Sequence, residues 1–548
     1  MRQLVAAVSC AAMMAAAQAQ QAATSEVHLQ HTGSAEAGVT QLMVNGKPLL
    51  LLGGELGNSS ASTAAEADSI LPELAKAHVN TIVMPVPWEE IEPVQGSFDF
   101  SVLDHWIDVA RAQQMHLVLL WFGSWKNGVS SYVPVWVKAD PERFRRAIGE
   151  DGRPLGTLST LCLSNVDADA KAFAKLMLHV REKDEAQATV VMVQVENEVG
   201  LDGSSRDRSV EANKAFAGPV PAQLIASLRE RRMELEPEMA SVKLKEGGAL
   251  KGGETWSEVF GEAAPEVFMA WHYARYIQQV AAAGKAEYAL PMYSNAQLPA
   301  PKERAGEYPS GGPHPGVLDV WRAGAPALDF FSPDIYWPEF AYWIDRYARN
   351  GNPVFVPEAR LEAAPWNAFY AFGEAKAIGF SPFAIDSLAH GGNAAKSEVG
   401  QAYAVLADLA PLILLDEREN KTRGMVLHAN SPRAVQTVAL GGYLFHAQLA
   451  RSWPAKALLQ DDGALMVIET GAKEFLVAGS GMQITITADQ DTSPAKLLPA
   501  AEIVSVDEVS LQGGAWVAGR RLNGDQTNQG RSVTLPAHRF EVLRVRVQ

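Results

Sequence analysis

The chain has 548 residues, 47% hydrophobic and 20% charged, with 47 Lys+Arg against 63 Asp+Glu and a formal net charge of −16. That composition excludes a disordered chain, a collagen-like repeat and a polytopic membrane protein. The acidic balance excludes the basic stripe that nucleic-acid binders use against phosphates, and leaves a neutral small molecule or polymer as the fitting ligand.

At the start, Arg2 precedes an apolar run from Leu4 to Ala17, and Ala17-Gln18-Ala19 has the small-residue pattern of a cleavage site. Residues 1–19 read as a signal peptide, with an exported protein, periplasmic or secreted, as the expectation. The run is shorter than the ~20 residues that span a bilayer, so no membrane anchor is expected, and no later stretch reads as long and apolar enough to cross one. Of the two cysteines, Cys10 leaves with the leader, and Cys162 is expected to be a lone buried thiol.

Residues 20–47 form a lead segment. Gln41–Val44 and Lys47–Leu52 flank Asn45-Gly46, a two-residue hairpin signal. From 48 to 417 short apolar runs alternate with helical stretches. Leu49–Leu52 leads to Glu55, Thr81–Met84 to Trp88, His116–Leu120 to Trp121–Trp125, and Thr189–Val193 to Gln194–Glu198. Then come Pro291–Asn295, Phe330–Tyr336, Val354–Glu358 and Gly379–Phe383. Helical patterns such as Leu103–Gln114 and Phe268–Ala283 lie between them. Eight βα units predict an α/β fold, a (β/α)8 TIM barrel. A doubly wound open sheet fits less well, because no Gly-rich phosphate loop follows any strand. The longest insertion, 201–265, follows the fourth strand on the expected catalytic face. Residues 418–548 carry short strands and turns, and predict a C-terminal all-β, sandwich-like domain.

A Glu that closes a hydrophobic strand is costly to bury unless it has a partner or a role. Strict alternation along 191–198 places Met192, Gln194, Glu196 and Glu198 on one face and Val191, Val193 and Val195 on the other. Glu358 closes a strand three units later, which puts carboxylates on strands four and seven across the barrel mouth. A retaining glycosidase needs such a pair ~5–5.5 Å apart, one nucleophile and one acid that later serves as base. Scattered histidines, no H-E-x-x-H and no paired Cys leave no expected catalytic metal or cofactor, and no G-x-S-x-G elbow appears.

Glu196-Asn197-Glu198-Val199-Gly200 after an apolar strand resembles the signature of glycoside hydrolase family 35. Pro87-Trp88, Glu92-Pro93, Gly96 and Phe98-Asp99-Phe100 resemble that family's segment after the second strand, and Tyr132–Val137 resembles its L-P-x-W-L stretch. Members are mostly exo-acting, retaining β-galactosidases of a wider clan of two-Glu barrels. The resemblance implies Glu198 as acid/base, Glu358 as nucleophile, Asn197 on the sugar 2-hydroxyl and Tyr336 hydrogen-bonded to the nucleophile. Strict alternation would turn Asn197 away, so the strand must end or bulge there. Departures fall at Glu89, Ile91 and Trp121–Gly128. Glu55, Asn58, Trp125 and Asn127 are expected to form the sugar-binding wall, with Trp125 stacking on an apolar sugar face. Glu196 and Trp88 complete the expected substrate-binding set. The expected function is an exo-β-galactosidase acting on a carbohydrate substrate, such as plant cell-wall oligosaccharide. The alternatives are a β-glucosidase or β-mannosidase on the same barrel, and a non-catalytic carbohydrate-binding protein.

Overall fold

The computed structural model describes residues 26–33, 38–231, 235–241, 253–416, 421–430, 435–450, 461–489 and 501–548, so the leader expected over 1–19 lies outside it. Strands β1 (Val27–Thr32), β2 (Val39–Val44) and β3 (Lys47–Leu49) make an antiparallel lead sheet. Val44 pairs with Lys47, and Asn45 and Gly46 both take positive φ, 52° and 74°. That is the primed turn an Asn-Gly pair favours. The second arm does not continue to Leu52 as one strand: it stops at Leu49, and β4 (Leu51–Glu55) opens the barrel.

Seven further barrel strands follow: β5 (Thr81–Pro87), β6 (His116–Lys126), β9 (Val190–Asn197), β10 (Met292–Gln297), β11 (Phe330–Ile335), β12 (Phe355–Ala359) and β13 (Gly379–Pro382). They close in chain order, with β9 on β10 and β13 on β4. The eight expected apolar runs are these eight strands. Strand β9 is buried over its whole length, one side in the barrel and the other under helices, which explains its nearly unbroken apolar sequence. Helix Ser101–Ala112 buries Leu103, Trp106, Ile107 and Ala110, the i, i+3, i+4, i+7 stripe of a helix laid on a sheet. A hairpin not foreseen from the sequence, β7 (Arg146–Ile148) and β8 (Pro154–Leu158), fills the connection between β6 and β9.

One sequence expectation needs amending. Helix Glu398–Asp416, which follows the eighth strand, holds an 18-residue window of mean hydropathy 1.4, long and apolar enough to cross a membrane. It lies against the barrel: the Tyr403 hydroxyl donates to the Gly53 and Phe380 carbonyls at 2.8 and 3.1 Å, and Leu406 and Leu409 are fully buried.

The insertion after β9 folds into short helices, Val210–Ala217, Ala222–Glu230, Pro237–Ser241 and Trp256–Phe260. It is pinned to the loop after β10 by reciprocal backbone bonds between Leu201 and Ser310.

The C-terminal region is all-β. A six-stranded sheet runs β14 (Thr422–Leu427), β17 (Gly463–Gly471), β18 (Glu474–Ser480), β23 (Glu541–Val547), β20 (Ile503–Gln512) and β21 (Ala515–Leu522). A four-stranded sheet runs β15 (Gln436–Leu440), β16 (Tyr443–Leu449), β19 (Met482–Ala488) and β22 (Val533–Thr534). Alternation along the larger sheet serves two cores. Leu465, Val467, Phe475 and Val477 pack inside the β-domain, whereas Met466, Ile468, Leu476 and Ala478 join the barrel's core. Their barrel partner is helix Ala364–Gly373, whose ten residues are all buried. Phe540 stacks on Phe369 at 5.7 Å and packs against Trp366 at 6.1 Å. Gly373 and Gly424 meet so closely that a Cβ on Gly424 would lie 2.8 Å from the backbone of Phe369 and Glu374.

Candidate active site

Strands four and seven of the barrel, β9 and β12, end in the two glutamates. Glu198 and Glu358 are both nearly inaccessible, 3% and 4% exposed. With Asp334 of β11 they form a triad in which one carboxylate oxygen from each lies within 4.8 Å of the other two. Asp334 is the direct register partner of Glu358. Glu55, at the end of β4, completes a group of four buried carboxyls that act on one another electrostatically.

Four such groups cannot all be ionised in a desolvated space, so the local partners decide where the charge stays. Burial, then the neighbouring Glu358, pushes the Glu198 carboxyl up to about 7. Burial and the Glu358 charge drive Glu55 well above the carboxylate range, and burial with Glu358, Glu198 and Glu55 does the same to Asp334. Glu358 is also raised by burial, but the Lys126 ammonium and the Tyr336 hydroxyl pull it back. Tyr336 donates a short hydrogen bond to Glu358 Oε1. Glu358 is therefore the carboxyl best held as an anion and Glu198 one that keeps its proton near neutrality, the split a nucleophile and an acid require.

How Lys126 reaches this group follows from the backbone. Trp121 of β6 pairs with Val195 of β9, yet the next pair is Lys126 with Asn197. Residues 122–125 thus bulge opposite Glu196 alone, and Glu196 takes a positive φ of 64°. Its carboxylate turns into the bulge and accepts the Ser124 and Trp125 amides at 3.1 and 2.8 Å. Beside it, Asp169 accepts the Trp121 indole at 2.9 Å and the Ser124 hydroxyl at 2.6 Å. The bulge lifts Lys126 and Asn127 to the mouth, where the exposed Asn127 donates a short bond to Glu198 Oε2.

The same geometry corrects the period-2 reading. Glu196 and Glu198 do not share a face, because both have positive φ, and Glu196 is a structural carboxyl of the bulge and not a sugar ligand. Glu196→Ala would leave two buried amides unpaired and is expected to cost about 2–4 kcal/mol of stability. Chemical denaturation checks this; an unchanged midpoint with a raised KM would return Glu196 to the sugar site. Trp125 is likewise not a stacking wall: it is 1% exposed, donates to the Leu158 carbonyl at 3.2 Å and packs edge-on against Tyr273 and Tyr276. Trp88 is buried too, its indole donating to Glu92 Oε2 at 2.9 Å while Gly96 N–H donates to Glu92 Oε1 at 2.7 Å. The Trp-Glu-Gly spacing after the second strand is thus a loop scaffold. Asn58 sits in the turn after β4 with its carbonyl oxygen buried and unpartnered, and no contact among the described residues joins it to the Glu pair.

Tyr336, Asn127 and Glu55 do reach the pair, and Asn197 directly precedes Glu198 in the chain. Asn197 is fully buried, its Oδ1 accepts from Gln194 and Asn295, and its Nδ2 has no partner. Both Glu55 oxygens are also buried and unpartnered, ready for donors from a ligand. Lys126, Asn295 and Asp334 were not singled out from the sequence. The signal for the last two was position alone: each ends an apolar run on a strand beside a catalytic candidate. Cys162 is a buried free thiol, as expected.

Residues 61–236 match the family model of glycoside hydrolase family 42, β-galactosidase, a span that includes Glu198 and ends before Glu358. Residues 399–534 match a family described as a domain of unknown function, DUF5597. Among curated proteins none matches. Similar solved structures include a β-galactosidase from the psychrophilic Marinomonas ef1, 13% identical, covering 67% of this chain and 61% of that one, with a TM-score of 0.45. Another, from Rahnella sp. R3, is 17% identical over 70% of this chain and 58% of that one, with a TM-score of 0.46. A family 42 β-galactosidase from G. stearothermophilus is 10% identical over 91% of this chain and 98% of that one, with a TM-score of 0.48. The chain spans about three fifths of the length of the first two. The resemblance to family 35 is corrected by the model that matches. Over residues 61–236 the barrel is thus similar to the family 42 β-galactosidases.

Proposed function

We propose that the protein is an exported, exo-acting, retaining β-galactosidase that removes terminal β-D-galactosyl residues from oligosaccharides. The observation that carries the mechanism is that an oxygen of Glu198 and an oxygen of Glu358 lie within 4.8 Å of each other. It fits a double displacement, because an inverting pair stands ~6.5–9.5 Å apart to admit a water. Glu358 attacks the anomeric carbon as the glycosidic C–O bond breaks, and Glu198 passes its proton to the departing oxygen. A water then attacks the glycosyl–Glu358 ester, gives its proton to Glu198 and releases the sugar with its configuration retained.

The free Asn197 Nδ2 fits a donor to the sugar 2-hydroxyl, and the two unpartnered oxygens of Glu55 fit acceptors for a pair of ring hydroxyls. The match of residues 61–236 supports galactose as the sugar, and the Arg2 to Ala19 pattern supports export.

The test is proton NMR of the first product from chromogenic β-glycosides of galactose, glucose and mannose. β-Galactose appearing ahead of its α-anomer is the expected result. α-Galactose first would sink the retaining mechanism, and turnover of the glucoside or mannoside alone would sink the choice of sugar.

A further inference from the structure

Glu198 sits on a backbone that an ordinary residue avoids, with φ at 44°. A non-glycine residue there costs ~1–3 kcal/mol and persists only where its surroundings hold it. What holds it is Asn295, at the end of the neighbouring strand β10. The Asn295 Oδ1 accepts the Glu198 amide at 2.9 Å. Its Nδ2 donates to Asp334 Oδ2 at 2.6 Å and to Asn197 Oδ1 at 3.2 Å. Both amide hydrogens are thus spent on protein and the oxygen holds the Glu198 amide, so Asn295 has no hydrogen left to donate to a sugar.

Asp334 is placed just as closely. It is 2% exposed, with Oδ2 taken by Asn295 and Oδ1 facing no donor. One oxygen of its carboxyl lies within 4.8 Å of one of Glu198's. Two carboxylates this close, both desolvated, repel unless one carries a proton. The surrounding charges decide which. Asp334 is faced by Glu358 from β12, Glu55 from β4 and Glu198 from β9, and by the neutral hydroxyls of Tyr293, Tyr336 and Tyr347. Glu198 is faced by Glu358, Asp334 and Glu55, and by the compensating Lys126. Each faces three carboxyls, but of the two only Glu198 has the Lys126 ammonium beside it, so the shared proton belongs on Asp334 when Glu198 is ionised.

We propose that Asn295 and Asp334 are positioning residues for Glu198: Asn295 clamps its strained backbone, and Asp334 stands behind its carboxylate as a neutral hydrogen-bond donor. This rests on the reading of Glu198 as the acid/base. The pair lets Glu198 lose its proton to a leaving group without becoming an unsupported anion among carboxylates, and lets it recover a proton from water in the second step.

The test compares full-length Asp334→Ala, Asp334→Asn and Asn295→Ala. The alkaline limb of kcat/KM, set in the wild type by Glu198 near pH 7, is expected to move up by ~1 unit in Asp334→Ala, since the bond that favours the anion is gone. Asparagine keeps both the donor and the acceptor for Asn295, so Asp334→Asn is expected to bring the limb back to within ~0.3 unit of wild type. Asn295→Ala is expected to lower kcat at least ~10-fold with KM little changed. A limb that moves down in Asp334→Asn would mean Asp334 works as an anion, and a limb unmoved in both Asp334 variants would mean a purely structural residue. Either result overturns the proposal.

Should Asp334→Ala fail to fold, the near-isosteric Asp334→Asn still decides between donor and anion. A second readout does not depend on turnover. Carbon-13 NMR of glutamate-labelled protein, with the Glu198 signal assigned through Glu198→Gln, follows that carboxyl directly. A wild type that cleaves no glycoside sinks the enzyme reading, while the Glu198 titration in Asp334→Asn still supports or overturns the donor role.

Discussion

Glu358→Gln is expected to abolish β-galactoside hydrolysis, lowering kcat by ~10⁴-fold or more, while the melting temperature stays near that of the wild type. Glutamine has the shape of glutamate and still accepts the Tyr336 hydroxyl, so the mouth keeps its packing. What is lost, on the proposed mechanism, is the anion that attacks the anomeric carbon. The substitution also relieves crowding, because Glu358 is the largest charged contributor to the raised Glu198 and Asp334 carboxyls. A stability slightly above wild type is therefore in keeping with a nucleophile held under electrostatic load. Added azide should rescue turnover in the smaller Glu358→Ala variant by attacking from the vacated face, giving the α-galactosyl azide, which NMR identifies. Retention of more than a hundredth of wild-type kcat by Glu358→Gln would remove Glu358 from the nucleophile's role.

The second large effect concerns the β-domain. A chain ending at Asp416 is expected to be insoluble or molten, without the cooperative unfolding of the full protein. Helix Ala364–Gly373 packs on the barrel with one side and on the larger β-sheet with the other. Removing the sheet uncovers Trp366 and Phe369 and strips the cover from Gly373. Each large apolar side chain moved from core to water costs roughly 1.5–3 kcal/mol, and a few of them consume most of the 5–15 kcal/mol by which a domain is stable. Because this helix follows directly on the strand that carries Glu358, the loss falls on the catalytic framework itself. Circular dichroism melts and activity of the shortened chain check the expectation. A shortened chain that melts cooperatively and cleaves galactoside would show the two cores to be independent.

Much of the architecture is legible in the sequence because barrel strands are buried on both faces and end abruptly. Thr189–Val193 and Val354–Val356 advertise themselves as uninterrupted apolar runs, and a glutamate ending such a run stands out among 63 acidic residues. Glu196 is misread because alternation assumes an extended backbone, and nothing local announces a positive φ at a glutamate. Trp125 is misread for a related reason: the bulge that starts at Phe122 turns it inward on Tyr273 and Tyr276, whose helix begins well over a hundred residues later in the chain. Asp334 is hidden because its meaning lies in the register that sets it beside Glu358. Family 35 and family 42 both fit a two-glutamate barrel, so the motif spacing alone leads to the fold and the chemistry but not to the matching family.

The bulge in β6 separates two jobs that a regular strand would tie together. Its root is locked by Glu196, Asp169 and the Tyr276 hydroxyl, away from the mouth, while its tip presents Lys126 and Asn127 to Glu198. Substitutions at the tip therefore leave closure of the barrel intact, yet they act directly on the charge of the two glutamates through Lys126 and Asn127. The bulge thus makes the proton balance of the site adjustable without touching the fold that carries it.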